Sequence, residues 1–385
     1  MSKKTGTNEH GFRTLRLTKD AYNPRIARIT FTRGHKLNAI TWETPAEIRR
    51  AVELANADDE VHVIVVQGEG AAFCAGYDIV GAAESGEDSP CNQEKFPWDP
   101  MVDYKAMRGF TDDFMALWRS YKPTIARVHG YAIAGGSDIA NCCDLIVMDR
   151  DAKMGYMPVR VWGCPTTAMW VYKLGPVRAK RLMFTGDLID GRTAKKWGLA
   201  TDSVPMDKLD ATVDALAARI AGVPRSHLMM QKMVINQAVE NMGLLQSQMT
   251  ATIFDGITRH NPEGLWFRRH AQAHGFKDAV AWRDSGRPIP EADEARAMIA
   301  ELEREIAARG VGPGAGGKTA AKTAEKIAAK TAAKTAAKTA AKTAPKAAAK
   351  VAAKVAPKTA AEPGAKTAAN SGARTGARRR APARS

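Results

Sequence analysis

In the first half of the chain, stretches with the hydrophobic pattern of strands alternate with stretches that have the hydrophobic pattern of helices. Short alternating or continuously apolar runs predict strands, and they lie at residues 13–17, 25–32, 61–66, 124–128, 143–148 and 153–156. The first two runs are joined by a turn at Asn23-Pro24. Apolar residues recur at helical spacing over 44–57 and 101–121. Interleaved strands and helices predict an α/β body.

The second half of the chain is predicted to be almost wholly helical from 165 to 309, with breaks at glycines and prolines such as Gly175-Pro176. Residues 291–309 form a strong helix candidate beyond the main body. Residues 81–100, rich in Gly, Pro and acidic groups, are interpreted as a mobile loop. The predicted organisation is a disordered N-terminus (1–11), a core (12–204), a helical region (205–309) and a disordered basic tail (310–385).

The net charge of +16 is concentrated in the tail. Residues 310–385 hold seventeen Lys and Arg against two Glu, so the preceding body is nearly neutral. Lysine recurs every four residues, and the segment resembles the basic tails of linker histones. Phosphate neutralisation predicts non-specific nucleic-acid or polyanion binding, without aromatic residues for base stacking. The alternative is a solvated tail with no partner.

Composition excludes several classes of protein. The 385 residues contain no apolar run of membrane-spanning length and no signal-peptide core at the N-terminus. The five cysteines have neither disulfide-type nor metal-type spacing. We therefore expect a cytoplasmic protein without a metal site. Cys74 and Cys142 are interpreted as small core residues.

Two glycine turns carry the candidate chemistry. Residues 124–138 (TIARVHGYAIAGGSD) predict a buried strand, a glycine turn and a helix that opens near Gly135. A second tight turn is built around Gly76 in AAFCAGYDI. Unpaired N–H groups at a helix start stabilise a carbonyl oxygen that gains negative charge, if a second N–H converges on it. Asp138 follows in the first helical turn and is a candidate acid or base.

Four ordered blocks of the sequence resemble the crotonase superfamily, which includes the enoyl-CoA hydratases and isomerases. The blocks are HKLNAI (35–40), GAAFCAGYDI (70–79), KPTIARVHGYAIAGGSDIANCCDLIV (122–147) and KRLMFTGDLIDGRTAKKWGLATDSV (180–204). The resemblance implies a spiral of ββα turns followed by helices that mediate trimerisation, as a homotrimer or dimer of trimers. It also implies an acyl-CoA substrate, a place in fatty acid and lipid metabolism, and no permanently bound cofactor beyond coenzyme A in the thioester.

The same resemblance assigns roles to residues. The backbone N–H groups of Tyr77 and Gly135 correspond to the oxyanion hole that stabilises a thioester enolate, and Asp138 to the first catalytic glutamate. The second glutamate corresponds to Val159, which transfers no proton. This departure puts ordinary hydration in question. Substitutes include Arg160, as a ligand of a substrate carboxylate or as a structural ion pair, and the acids Asp99, Asp103, Asp112 and Asp113.

Coenzyme A recognition is implied for the residues after the second turn, which are Tyr77, Asp78, Ile79 and Val80. Arg33 and Lys36 lie in a loop that meets the nucleotide phosphates in the family. Two hypotheses follow. The chain is an acyl-CoA enzyme acting as a hydratase, isomerase or hydrolase, or it is a catalytically reduced scaffold whose basic tail binds nucleic acid.

Overall fold

The computed structural model describes residues 10–80, 91 and 97–309. Most of the predicted N-terminal segment, most of the 81–100 loop and all of the tail from 310 to 385 lie outside these residues, as do the predictions made for them. No helix in the described ranges is long and apolar enough to cross a membrane.

A six-stranded sheet organises the first half of the chain. Its strands are β1 (Leu15–Lys19), β2 (Ile26–Phe31), β3 (Val63–Gly68), β4 (Thr124–Val128), β6 (Leu145–Asp149) and β9 (Asp202–Val204), in the order β1-β2-β3-β4-β6-β9. Only β1 and β2 are antiparallel within this sheet; the other neighbours are parallel. The β3 residues Val63–Val66 are fully buried, as expected for a parallel strand covered on both faces.

The two faces of this sheet pack against different layers. Ile64 and Val66 join the main core, whereas Val63 and Val65 join a second core beneath one helix, Met206–Ala221. A smaller sheet holds β5 (Tyr131–Ile133), β7 (Lys153–Gly155) and β8 (Ile189–Asp190), with β7 in the middle. The α/β prediction for this half is confirmed.

Helices fill the remainder of the described chain. They are α1 (Thr44–Ala57), α2 (Pro100–Arg119), α3 (Gly135–Cys142), α4 (Met169–Thr185, kinked at Gly175), α5 (Gly191–Trp197), α6 (Met206–Ala221), α7 (Arg225–Glu240), α8 (Leu244–His260), α9 (Pro262–His274), α10 (Phe276–Asp284) and α11 (Ala292–Ala308). The predicted helix at 291–309 is α11, which packs with α9 and α10 in a third core that includes Trp266 and Leu302.

Three short strands were missed by the sequence interpretation. β5 lies between the β4 strand and the glycine turn, and β8 and β9 lie within a region predicted as helical. Each has two or three residues, too few to show a two-residue period. Their partners are distant in sequence, so only the folded chain defines them.

Candidate functional site

The first glycine turn lies at the end of β5 and opens α3. Ala134 has a positive φ of 50° with ψ −128°, which is unusual for a residue with a Cβ. Its carbonyl accepts hydrogen bonds from the amides of Ser137 and Asp138 at 2.9 and 3.2 Å. A Cβ on Gly135 would lie 2.7 Å from Cε2 of Tyr77, so only glycine permits the contact between this turn and the Tyr77 ring.

The second glycine turn meets the first. Gly76 has φ +88°, and a Cβ on it would lie 3.0 Å from the Cβ of Ala134 and 3.8 Å from the Gly135 nitrogen. A parallel bridge with Ile40 holds this turn, because the Ile40 amide donates to the Gly76 carbonyl at 2.8 Å. The Ile40 carbonyl in turn accepts the Asp78 amide at 2.9 Å.

Two backbone N–H groups remain unpaired where these turns meet. Within the ranges 10–80, 91 and 97–309, neither the Tyr77 nor the Gly135 N–H has a hydrogen-bond acceptor. Gly135 is the first residue of α3, so the positive end of that helix adds to its amide. Two free donors on adjoining turns form an arrangement that can hold a carbonyl oxygen.

Asp138 lies in the first turn of α3 and is only 3% exposed. Burial raises the pKa of its carboxyl to about 8. The Thr167 hydroxyl, which donates to Oδ1 at 2.7 Å, lowers that pKa, and the nearby Asp255 carboxylate raises it. At neutral pH the side chain is therefore mostly protonated, and it can give a proton to a neighbouring group.

Helix α8 buries its polar face and exposes its apolar face, which is the reverse of an ordinary surface helix. Its buried face carries polar and charged residues, namely Gln248, Thr252, Asp255, Arg259 and His260. Its exposed face is apolar, with Leu245, Met249, Ile253, Phe254 and Ile257. The buried face thus supplies polar groups to the region around Asp138, and the outer face leaves apolar surface exposed.

Two buried carboxylates share one guanidinium on this inner face. Arg259 forms ion pairs with Asp103 of α2 and with Asp255, and its Nε donates to the Cys91 carbonyl at 2.7 Å. Burial outweighs the Arg259 charge and raises the pKa of Asp103 to about 6. Asp255 Oδ1 also accepts the Cys164 amide at 2.9 Å. Sequence reasoning missed Asp255 and Arg259, although Gln248, Thr252, Asp255 and Arg259 recur at helical spacing.

The four candidate acids in and after the 81–100 loop differ in their interaction partners. Asp103 joins the Arg259 network. Asp99 caps α2 by accepting the Met101 amide at 2.9 Å, and Asp112 pairs with Arg108. Asp113 pairs with Arg49. Three of the four acids therefore have structural partners outside the Arg259 network.

Arg160 and Val159 lie in the turn Met157–Arg160. Arg160 donates to the Thr185 carbonyl at 2.7 Å and pairs with Asp284 at 2.8 Å, which is the structural ion pair considered as its alternative role. Val159 packs partly buried against the main core. Both line an open groove of about 380 Å³ together with Arg283 and Arg287.

The residues after Gly76 lead from the glycine turns toward the surface. The Tyr77 ring stacks on Phe110 at 6.3 Å between ring centroids, and Phe110 contacts Trp42 at 5.3 Å. Arg33 pairs with Asp78 at 2.7 Å, so the guanidinium predicted to meet phosphates has a carboxylate partner. Lys36 and Val80 are exposed and Ile79 is half-buried.

The buried cysteines are inert in this setting. Burial raises the pKa of the Cys74 thiol to about 12 and that of Cys142 well above its usual value. Both lie in the main core, as expected for small apolar residues.

Comparison with known proteins connects the chain to one family. A family profile described as enoyl-CoA hydratase/isomerase matches residues 21–266. A curated relative, "Putative enoyl-CoA hydratase EchA13" of Mycobacterium tuberculosis, is 33% identical over 237 residues, covering 57% of this chain and 72% of that protein.

Solved structures show the same similarity. An enoyl-CoA hydratase from Mycobacterium smegmatis is 46% identical with a TM-score of 0.67, covering 72% of this chain and 94% of its own. An enoyl-CoA hydratase/isomerase from Xanthobacter autotrophicus Py2 is 28% identical with a TM-score of 0.65, covering 72% and 99% respectively.

Proposed function

The chain belongs to the enoyl-CoA hydratase/isomerase family, and from this premise we propose that it acts on acyl-CoA thioesters by stabilising an enolate between two backbone N–H groups. The donors are Tyr77 and Gly135. The observation that carries the proposal is that these amides have no acceptor among the described residues, although their turns are in contact. The hydrogen bonds from such donors strengthen as the thioester oxygen gains negative charge, so they stabilise the enolate more than the bound substrate.

Asp138 is the proposed proton donor to the substrate. In hydration, water adds to the β-carbon and leaves an enolate. A carboxylic acid with a pKa of about 8 keeps its proton at neutral pH and can deliver it to the α-carbon of that enolate, and the carboxylate so formed takes up the proton that the added water loses. The position that the resemblance gives to a second glutamate holds Val159, so a single acid carries the proton chemistry in this proposal. The alternative is an isomerase or hydrolase in which Asp138 first acts as a base.

The pH dependence of turnover separates these two roles. If the protonated form of Asp138 is active, kcat/KM falls as pH rises through about 8, because the acid is lost there. We expect this fall for hydration of a short 2-enoyl-CoA, followed by absorbance of the conjugated thioester. A rise through the same pH range would favour the base role instead.

Coenzyme A is proposed to lie along the segment 77–80. The apolar Tyr77–Phe110 stack borders this segment on one side. Arg33 is paired with Asp78, whereas Lys36, three residues further along the chain, is exposed. Lys36 is therefore a better candidate than Arg33 for a phosphate contact. Incubation with a panel of acyl-CoAs, with products identified by mass, tests the proposed activity; no conversion of any thioester would contradict it.

The apolar outer faces of α7 and α8 support a homotrimer or a dimer of trimers. The large apolar residues exposed on α7 are Met230, Met233, Val234 and Ile235, and α8, the next helix along the chain, also has an exposed apolar face. A second copy of the chain is the proposed occupant. Phe254→Glu is expected to lower the mass measured by sedimentation, whereas Tyr22→Glu, at a fully exposed turn position, is not. Unchanged mass in both variants would contradict this interface.

The basic tail supports a second function, since the scaffold hypothesis rests on it together with Val159. Seventeen basic groups can displace counterions from phosphates, so we expect non-specific DNA or RNA binding that weakens steeply with salt. Removing residues 310–385 should abolish this binding and leave acyl-CoA turnover intact. Gel-shift titrations of both forms at two salt concentrations measure it, and equal binding by both would contradict it.

A further inference from the structure

The segment 164–167 connects the inner face of α8 to Asp138. At its start, the Cys164 amide donates to Asp255 Oδ1 at 2.9 Å. At its end, the Thr167 carbonyl accepts Nε2 of Gln248 at 3.0 Å, and the Thr167 hydroxyl donates to Asp138 at 2.7 Å. Gln248 and Asp255 are seven residues apart, so they lie on the same face of α8. Two polar side chains of one helix thus hold both ends of the segment that contacts the proposed acid.

Asp255 is itself held firmly. It pairs with Arg259 one turn further along α8, and Arg259 is tied to Asp103 and to the Cys91 carbonyl. Gly163 borders it closely, because a Cβ there would lie 3.4 Å from Asp255 Oδ1 and 3.5 Å from the Tyr156 hydroxyl. Burying a carboxylate carries a desolvation penalty, and the ion pair with Arg259 offsets this penalty and fixes the position of Asp255.

We propose that Asp255 is a positioning residue for Asp138, acting through the segment 164–167 and as a fixed negative charge beside the proposed site. This inference rests on the proposed function of Asp138. Through the segment, Asp255 and Gln248 place the Thr167 hydroxyl on the Asp138 carboxyl. Through its charge, Asp255 disfavours a second carboxylate nearby, so Asp138 keeps its proton until an enolate takes it.

Asp255 differs from the other titratable neighbours of Asp138 because it is a carboxylate held in an ion pair. Within the described part of the chain, the titratable groups that interact with Asp138 include Tyr77, Cys142, Tyr156, Cys164 and Asp255. Burial raises the pKa of both tyrosines and of Cys142 well above their usual values, and that of Cys164 to about 12. These four groups are therefore neutral at neutral pH, whereas Asp255 is ion-paired with Arg259, which also binds Asp103.

The test is a pH titration of Asp138 in the full-length protein without substrate. The protonated-carboxyl band in the infrared spectrum is assigned to Asp138 by its loss in Asp138→Asn. We expect a midpoint near 8 in the unmodified protein. Asp255→Asn keeps an acceptor for the Cys164 amide but removes the charge, so its midpoint should fall by about half a unit or more. Asp293→Asn, which removes an exposed carboxylate from α11, is the matched control and should leave it unchanged.

Two neutral substitutions test the contact through the segment. Thr167→Val removes the hydroxyl that lowers the pKa of Asp138, so the midpoint should rise. Gln248→Met should move it in the same direction, because the Thr167 carbonyl loses its donor. Thr167→Ser keeps a hydroxyl and should restore the unmodified midpoint. Far-UV circular dichroism confirms that each variant is folded, and these neutral variants carry the test if Asp255→Asn does not fold.

Opposite shifts in Asp255→Asn and Thr167→Val are the result expected from the positioning role. Midpoints equal to that of the unmodified protein in folded variants would overturn it. The titration does not depend on turnover. If Asp138→Asn keeps full activity, the proposed function of Asp138 fails, and that failure is seen in kinetics rather than in the titration.

Discussion

Asp138→Asn is expected to bind acyl-CoA as the unmodified protein does and to lose about a hundredfold or more in turnover. Asparagine has the same size and still accepts the Thr167 hydroxyl on its amide oxygen, so the contact at 2.7 Å can be kept. It carries no transferable proton. Steady-state kinetics on the best acyl-CoA substrate, with binding measured by calorimetry, separate the two effects.

A matched control tests whether the loss of a carboxylate elsewhere has the same effect. Asp293→Asn removes a carboxylate that is exposed on α11 and pairs only with Arg296 among the described residues. It should leave both turnover and affinity unchanged. Turnover of Asp138→Asn at the level of the unmodified protein would remove Asp138 from the mechanism.

Gly135→Ala is expected to lower kcat by about a hundredfold to a thousandfold, the usual effect of losing one oxyanion donor. The new methyl group would lie 2.7 Å from the Tyr77 ring and 2.8 Å from Cδ1 of Ile40, which is too close for either neighbour. Because the Tyr77 ring is stacked on Phe110, we expect relief of the clash to move the Gly135 amide away from that of Tyr77. Thioester binding should weaken less than kcat, because the donors act mainly on the developing charge.

Gly109→Ala is the matched control for this substitution. Gly109 lies inside α2, and a Cβ there meets nothing within 4 Å. The same chemical change should therefore leave activity unchanged and stabilise the helix by about 1 kcal/mol. Equal kcat in Gly135→Ala and the unmodified protein would show that the Gly135 amide does not act on the substrate.

Much of the fold follows from local patterns in the sequence. The helix at 44–57 and the strand at 124–128 have the predicted bounds, because one apolar stripe or one continuous apolar run defines each of them. The β1–β2 pair follows from alternation and the Asn23-Pro24 turn. Strands of two or three residues carry no such pattern, and β5, β8 and β9 depend on distant partners.

The candidate site divides in the same way. The glycine turns and Asp138 could be predicted as candidates from the sequence, because a turn and a helix start leave local signals. Asp255 and Arg259 were missed because their role depends on contacts with α2 and with Cys164, far away in sequence. An amphipathic helix also has the same sequence pattern whether its polar or its apolar face is buried. Only the packing shows that the polar face of α8 is inside.

The structure of a bound acyl-CoA complex tests the central claim most directly. We expect the thioester oxygen within about 2.7–3.2 Å of both the Tyr77 and the Gly135 nitrogens, with the α-carbon facing Asp138. A thioester oxygen held by other groups, with both amides directed at water, would contradict the proposed oxyanion hole.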